Sequence, residues 1–246
     1  MYLNNPELLA DMDSQPKTPR HIAVILDGNR RYAKKKGLEP WKGHEAGAEK
    51  VRDLLKWCQE FGVKELTLYT FSTENFNRSK IEVEFLMNLL KREFNRLKDS
   101  KEIHENKVRI NVIGNYGLFS KDVQQIFKEI MEKTKDYDNY ILNFALGYGS
   151  REEITQAVKK IADKAVKGEI GIEDIDENLI SRNLYLKNEP DLLIRHGGEK
   201  RISNFLLWQL SYAEFIFLDK LLPEMTKEDF RQCIEEFGRR QRRFGE

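Results

Sequence analysis

With 246 residues, the chain has the length of one large α/β domain, enough to bury about three quarters of the surface its unfolded form exposes. Its 42 Lys and Arg almost cancel its 41 Asp and Glu, so no overall field recruits nucleic acid or an acidic partner, and any anion site must be built locally. Cys58 and Cys233 sit in helical patterns without a CxxC pair or paired histidines, which argues against a disulfide framework or a zinc site and fits a reducing cytoplasm.

The first residues, MYLNNPELLADMDSQPKTPR, lack the basic start and apolar core of a signal peptide, and residues 1–19 are expected to form a poorly ordered tail before a single domain, 20–246. No apolar run approaches the roughly 20 residues of a membrane-spanning helix. Downstream, apolar stretches alternate with longer amphipathic ones, which predicts six strands of a mostly parallel sheet flanked by about seven helices. The first strand, His21–Leu26, runs into Asp27-Gly28-Asn29-Arg30-Arg31-Tyr32. Asp, Gly and Asn suit a simple turn. The two arginines at a helix N-terminus suit a diphosphate, and a carboxylate beside phosphate calls for a cation between them, which makes Asp27 a candidate Mg²⁺ ligand.

His44 opens a helix over Glu45–Phe61, as a cap or surface residue or as a donor to phosphate. The second strand, Glu65–Phe71, ends in the polar run Ser72-Thr73-Glu74-Asn75. Ser79-Lys-Ile-Glu82 caps the next helix, whose stripe Phe85, Leu86, Leu89, Leu90, Phe94 and Leu97 suits either ordinary core or the wall of an apolar tunnel. Strands over Val108–Gly114 and Ile141–Leu146 follow, then a helix capped by Ser150-Arg-Glu-Glu153. Strand Leu192–Arg195 leads into His196-Gly197-Gly198 and Arg201-Ile202-Ser203, glycines and forked donors that suit an anion as well as a plain surface. Glu214 precedes a last strand, Phe215–Leu218, as a second carboxylate near the same zone, and Thr226-Lys-Glu-Asp229 caps the final helix. Ligands of open α/β sheets lie beyond the carboxyl ends of the strands, and the polar runs cluster there.

HIAVILDGNRRYAKKKG (21–37), GHEAGAEKV (43–51), LTLYTFSTENFNR (66–78), NFALGYGSREEI (143–154), DLLIRHGGEKRISNFLLWQLSYAEFIF (191–217) and the terminal RRFG (242–245) together resemble the cis-prenyltransferases, the undecaprenyl diphosphate synthase family. The likeness implies a homodimer whose six-stranded sheet and helices enclose a hydrophobic tunnel, with the diphosphate at its mouth. It implies that Asp27 binds Mg²⁺ and is catalytic, and that Gly28, Asn29, Arg30, Arg31, Tyr32 and His44 surround an allylic diphosphate. It further implies that Ser72, Thr73, Glu74, Phe76 and Arg78 contact substrate and that Asn75 serves in proton removal. Arg195, Arg201, Ile202 and Ser203 then hold isopentenyl diphosphate, Glu214 stands near the metal, and Arg243 reaches the partner subunit's site.

DGNRRY stands where bacterial members carry DGNGRW, Pro40 replaces a phosphate-binding Arg, and Tyr32 and Phe76 replace Trp, so the chain looks more like archaeal and eukaryotic members. The implied reaction joins isopentenyl diphosphate units to an allylic prenyl diphosphate with Z double bonds. Its product is a long-chain polyprenyl diphosphate, precursor of a glycosyl carrier lipid, which brings a cytoplasmic enzyme into peripheral contact with the membrane. A non-catalytic partner subunit is the competing reading, but such subunits tend to lose motif residues that are intact here. A phosphohydrolase would need a dedicated base or nucleophile, and none stands out. Product length and primer depend on the tunnel and are not legible in the sequence.

Overall fold

The computed structural model describes residues 18–240. Six strands form one sheet in the order β3-β4-β2-β1-β5-β6. They are β1 (His21–Ile25), β2 (Glu65–Ser72), β3 (Val108–Ile113), β4 (Tyr140–Tyr148), β5 (Leu192–Arg195) and β6 (Glu214–Phe217). Every pairing is parallel. Parallel sheets must be covered on both faces, which explains why β1 and β5 are buried along their whole length. Alternation along the strands sorts side chains between two layers: Ile22, Val24, Leu66, Leu68, Leu142, Phe144 and Ile194 enter the larger core, while Ala23, Ile25, Ala145 and Leu193 enter the smaller.

Among the described residues there are eight α-helices where about seven were expected, three of them short. They are α1 (Asn29–Lys35), α2 (Gly43–Glu60), α3 (Lys80–Lys98), α4 (Lys101–Glu105), α5 (Lys121–Thr134), α6 (Ser150–Val166), α7 (Glu177–Asn183) and α8 (Lys227–Arg239). Helix α8 shows why such segments dock: Phe230, Cys233, Ile234 and Phe237, at helical spacing, are its buried residues. Two of the three expected caps form. Ser79 Oγ accepts the Glu82 N–H at 3.3 Å, and Thr226 and Asp229 satisfy each other's backbone reciprocally. The third does not: α6 starts at Ser150 itself after an extended Gly149, and Ser150 Oγ accepts Leu207 N–H at 2.9 Å. Glu153 is drawn into the interior by the Tyr148 hydroxyl and by the Tyr185 and Leu186 N–H groups. Tertiary partners there outcompete the local cap.

Of the expected tail, residues 1–17 lie outside the described residues, whereas Pro19 is buried. No helix among the described residues is long and apolar enough to cross a membrane. The strand order places β1 between the β2 side and the β5 side of the sheet, so the loops after β1, β2 and β5 meet at a topological switch point.

Candidate active site

Asp27 follows β1 by two residues, and the register Ile25↔Arg195 sets the last residue of β5 beside it. Gly28 then turns the chain into α1 at φ 101°, and a Cβ there would meet Leu221 Cα at 2.9 Å, so backbone and space both require glycine. The Asp27 carboxylate accepts hydrogen bonds from Gly28 N–H at 2.6 Å, Arg31 Nη2 at 3.1 Å and Arg195 Nη2 at 3.0 Å. Partial burial pushes its pKa up, but hydrogen bonds and charge from Arg195 and Arg31 outweigh that and hold it below the usual carboxylate range. Arg31 also donates to Gly197 O at 2.6 Å, an approach possible because Gly197, at φ 86°, lacks the Cβ that would lie 2.3 Å from Arg31 Nη2.

Arg195 is buried and fans its guanidinium over Asp27, the Arg201 carbonyl and Ser203 Oγ, the last at 2.9 Å. Its Nε, also buried, has no hydrogen-bond partner among the described residues. Ser203, Asn204 and Leu206 hold positive φ angles of 50°, 62° and 46°. Such strain persists only where surroundings impose it, and Tyr69 does so by donating its hydroxyl to Ser203 O at 3.2 Å and stacking on Phe205.

On the other side of Asp27 lies a second cluster. His44, inside the first turn of α2 rather than ahead of it, is largely but not fully buried, and its Nδ1 lies 3.4 Å from Asn29 Nδ2. Burial, with the charges of Arg78 and Arg30 adding and Glu82 partly opposing, lowers its pKa to about 4, so the ring is neutral at neutral pH. His44 Nε2 and Asn29 Oδ1 are buried without hydrogen-bond partners among the described residues, and both residues line the cavity described next.

That cavity, of about 1040 Å³, runs from Asp27, Asn29, His44, Arg78, Arg195 and Ser203 to Asp99 and Ile103. Its apolar wall includes Leu55 of α2 and Leu86, Leu89, Leu90, Phe94 and Leu97 of α3. The stripe is therefore both core and cavity wall. Ser72, Glu74 and Asn75 also line it, Asn75 being fixed by its Oδ1 accepting Ser72 N–H at 2.9 Å.

Several expected site residues stand apart. Thr73, which donates to Glu74 at 3.1 Å, is not on the cavity wall. Tyr32 lies under Lys36, and Phe76 packs edge-on against Phe71 and Phe119 in the core. Ile202 leans on the smaller core, while Arg201 projects outward and pairs with Glu199. Glu214 stands far from Asp27 within the protomer. It opens β6 rather than preceding it and lies level with Leu192, which pairs with Ile22. Asp27 is five residues further along, roughly 16 Å towards the opposite end of the sheet. Glu214 is held instead by Arg240 Nη1 at 2.8 Å, so Asp27 gains no second carboxylate from it within the protomer. Arg243 lies outside the described residues. Two features carry no functional signal in the sequence: Glu82, known there only as a cap, and the Arg52–Glu93 ion pair, 2.7 Å long, that joins α2 to α3 in the cavity wall.

Residues 25–245 match the sequence profile of a prenyltransferase family described as undecaprenyl diphosphate synthase. A tritrans,polycis-undecaprenyl-diphosphate synthase (geranylgeranyl-diphosphate specific) from Pyrococcus horikoshii is 51% identical over 229 residues, covering 92% of this chain and 87% of that protein. One of the same name from Methanocaldococcus jannaschii is 46% identical over 243 residues, with 97% and 87% coverage. Among solved structures, lavandulyl diphosphate synthase from Lavandula x intermedia, in complex with dimethylallyl diphosphate, superposes with a TM-score of 0.87 at 34% identity, covering 93% of this chain and 99% of that one.

Proposed function

The chain belongs to the cis-prenyltransferase family, and from that premise we propose that it extends an allylic prenyl diphosphate with isopentenyl diphosphate units into a long-chain Z-polyprenyl diphosphate, the precursor of a glycosyl carrier lipid. The observation that carries the reading is a carboxylate clamped between Arg31 and Arg195 at the polar end of a cavity whose remaining wall is largely apolar. Diphosphate heads suit the cations and a growing hydrocarbon suits the wall. The specificity named for the archaeal relatives makes geranylgeranyl diphosphate the first primer to test.

Among the described residues no group of three or more His, Cys, Asp or Glu could hold a metal. One carboxylate beside a diphosphate site nevertheless fits Mg²⁺, which takes one or two carboxylates and completes its shell with phosphate oxygens and water. Asp27 would hold it, and the ion when bound supplies charge neutralisation for the departing pyrophosphate. The chain itself does the rest. Arg30, Arg31, Arg78, His44 and the backbone of Gly28 and Asn29 receive the allylic diphosphate, and Arg195, Arg201 and Ser203 receive the isopentenyl one. The carbon–carbon bond forms as the allylic C–O bond breaks and pyrophosphate departs with the bonding pair, and a proton then passes from the isopentenyl unit to an oxygen of that pyrophosphate. Guanidinium groups already in place stabilise the charge that grows on the leaving group. Asn75, fixed by Ser72, orients the proton-loss step, and the leucine and phenylalanine wall excludes water from the allylic cation. The working unit is a homodimer in which Arg243 reaches the second copy's site, and the lipid product brings it to the membrane surface.

The test is incorporation of labelled isopentenyl diphosphate by the purified chain with Mg²⁺ and geranylgeranyl diphosphate. Mass spectrometry should show a ladder ending in one long product. Absence of any incorporation across a panel of allylic primers would refute the assignment.

A further inference from the structure

Glu82 lies in the first turn of α3, with its side chain 5% exposed. Its Oε1 accepts Arg78 Nη1 at 2.9 Å and stands 3.7 Å from Arg30 Nε and 3.6 Å from His44 Nε2. These three partners come from three separate places: α1, the first turn of α2 and the turn before α3. Burying a carboxylate is costly unless charge and hydrogen bonds compensate, and here two guanidiniums and a helix N-terminus do so. With His44 neutral, two positive charges meet one negative, which leaves the cluster an excess of about one positive charge, and its His44 and Arg78 line the cavity.

We propose that Glu82 is a positioning residue for the allylic diphosphate, holding Arg30, Arg78 and His44 in one array at the cavity's polar end. The inference rests on the substrate reading above. Each guanidinium uses one edge on Glu82 and keeps its other donors for phosphate oxygens. Without the shared carboxylate, the mutual repulsion of Arg30 and Arg78 and the entropy of two long side chains disperse the array.

The sign of the effect separates this role from plain electrostatics. Coulomb's law alone says that neutralising a carboxylate near a diphosphate tightens binding. Positioning says that binding weakens. Glu82→Gln keeps the shape, so its KM for geranylgeranyl diphosphate should rise about tenfold or more, the size of one lost charge-assisted contact, with the KM for isopentenyl diphosphate unchanged. Glu82→Asp, one methylene shorter but charged, should recover part of the loss and serves if the Gln variant does not fold. In an Arg78→Ala background the Glu82→Gln effect should shrink, because the two act as a unit. Calorimetric titration of inorganic pyrophosphate reads the same array without turnover. Tighter primer or pyrophosphate binding in Glu82→Gln, an equal rise in both KM values, or strict additivity with Arg78→Ala would overturn the proposal while the enzyme assignment stood. A wild-type chain that neither condenses nor binds pyrophosphate would overturn both.

Discussion

Replacing Asp27 with Asn separates the two tasks that the structure gives this carboxylate. It accepts from Arg195 at 3.0 Å and Arg31 at 3.1 Å, joining the ends of β1 and β5. The Arg31 pair is half-exposed and contributes little to stability, whereas Arg195 is buried, and a hydrogen bond between charged groups there is worth about 2 kcal/mol. Asn keeps the volume but turns one acceptor into a donor facing a guanidinium. A domain of this size loses roughly 2–4 °C of Tm per kcal/mol, so the variant should melt about 4–8 °C lower yet still cooperatively. Catalysis should suffer far more. Loss of a metal-binding carboxylate removes several kcal/mol of charge stabilisation, and about 4 kcal/mol corresponds to a rate about a thousandfold lower. Calorimetry and labelled isopentenyl diphosphate incorporation at saturating Mg²⁺ measure the two effects side by side. Activity within tenfold of wild type would show that Asp27 only braces the strand ends. Loss of the cooperative transition would show instead that it is chiefly a structural residue.

Arg201→Ala should leave stability within about 0.5 kcal/mol, since the side chain is exposed and its ion pair among the described residues is with the partly exposed Glu199, but should raise the KM for isopentenyl diphosphate about tenfold with the primer KM unchanged. Equal effects on both substrates would mean the two phosphate sites are reversed. His44 and His196, both lowered to about 4 chiefly by burial, predict a pH-dependent stability: the unfolded chain binds more protons between pH 4 and 6.5, so their contribution is complete above pH 6.5 and falls as the pH drops towards 4. The loss should be about 2–3 kcal/mol per histidine, read by urea unfolding at pH 7.5 and 4.5, and His196→Gln should lessen the slope. A stability unchanged over that range would contradict it. Leu90→Trp, in the cavity wall, should shorten the product by at least one isoprene unit in mass spectra. An unaltered product distribution would show that the hydrocarbon does not occupy that part of the cavity.

Much of the fold was legible because its signals are local. Leu192–Arg195 was placed with its observed bounds and the other five strands within two residues at each end, since apolar runs closed by turn residues need only chain neighbours to be recognised. Ser79 and Thr226 were legible as caps for the same reason, while Ser150 was not, because Leu207, more than fifty residues away, claims its hydroxyl. Asp27, Asn29, Ser72, Asn75 and Arg195 could be singled out because residues just beyond parallel strands converge in any such sheet.

What lies across the chain was decided only by packing. The position of Glu214 depends on the direction of β6: in a sheet whose strands all run parallel, the start of β6 lies at the amino end, opposite the strand ends where Asp27 stands. Phe76 reads as a substrate contact beside Asn75, yet the Phe71–Phe119 cluster draws it inward. Glu82 is a commonplace first-turn acid in the sequence and becomes the meeting point of Arg30, His44 and Arg78 only when α1, α2 and α3 converge. Sequence determined the elements and the chemistry at each strand's end, because propensity, capping and alternation act over a few residues. The tertiary structure decided which charges face one another and where an apolar stripe leaves a cavity, because burial and Coulomb energy depend on distance in space rather than along the chain.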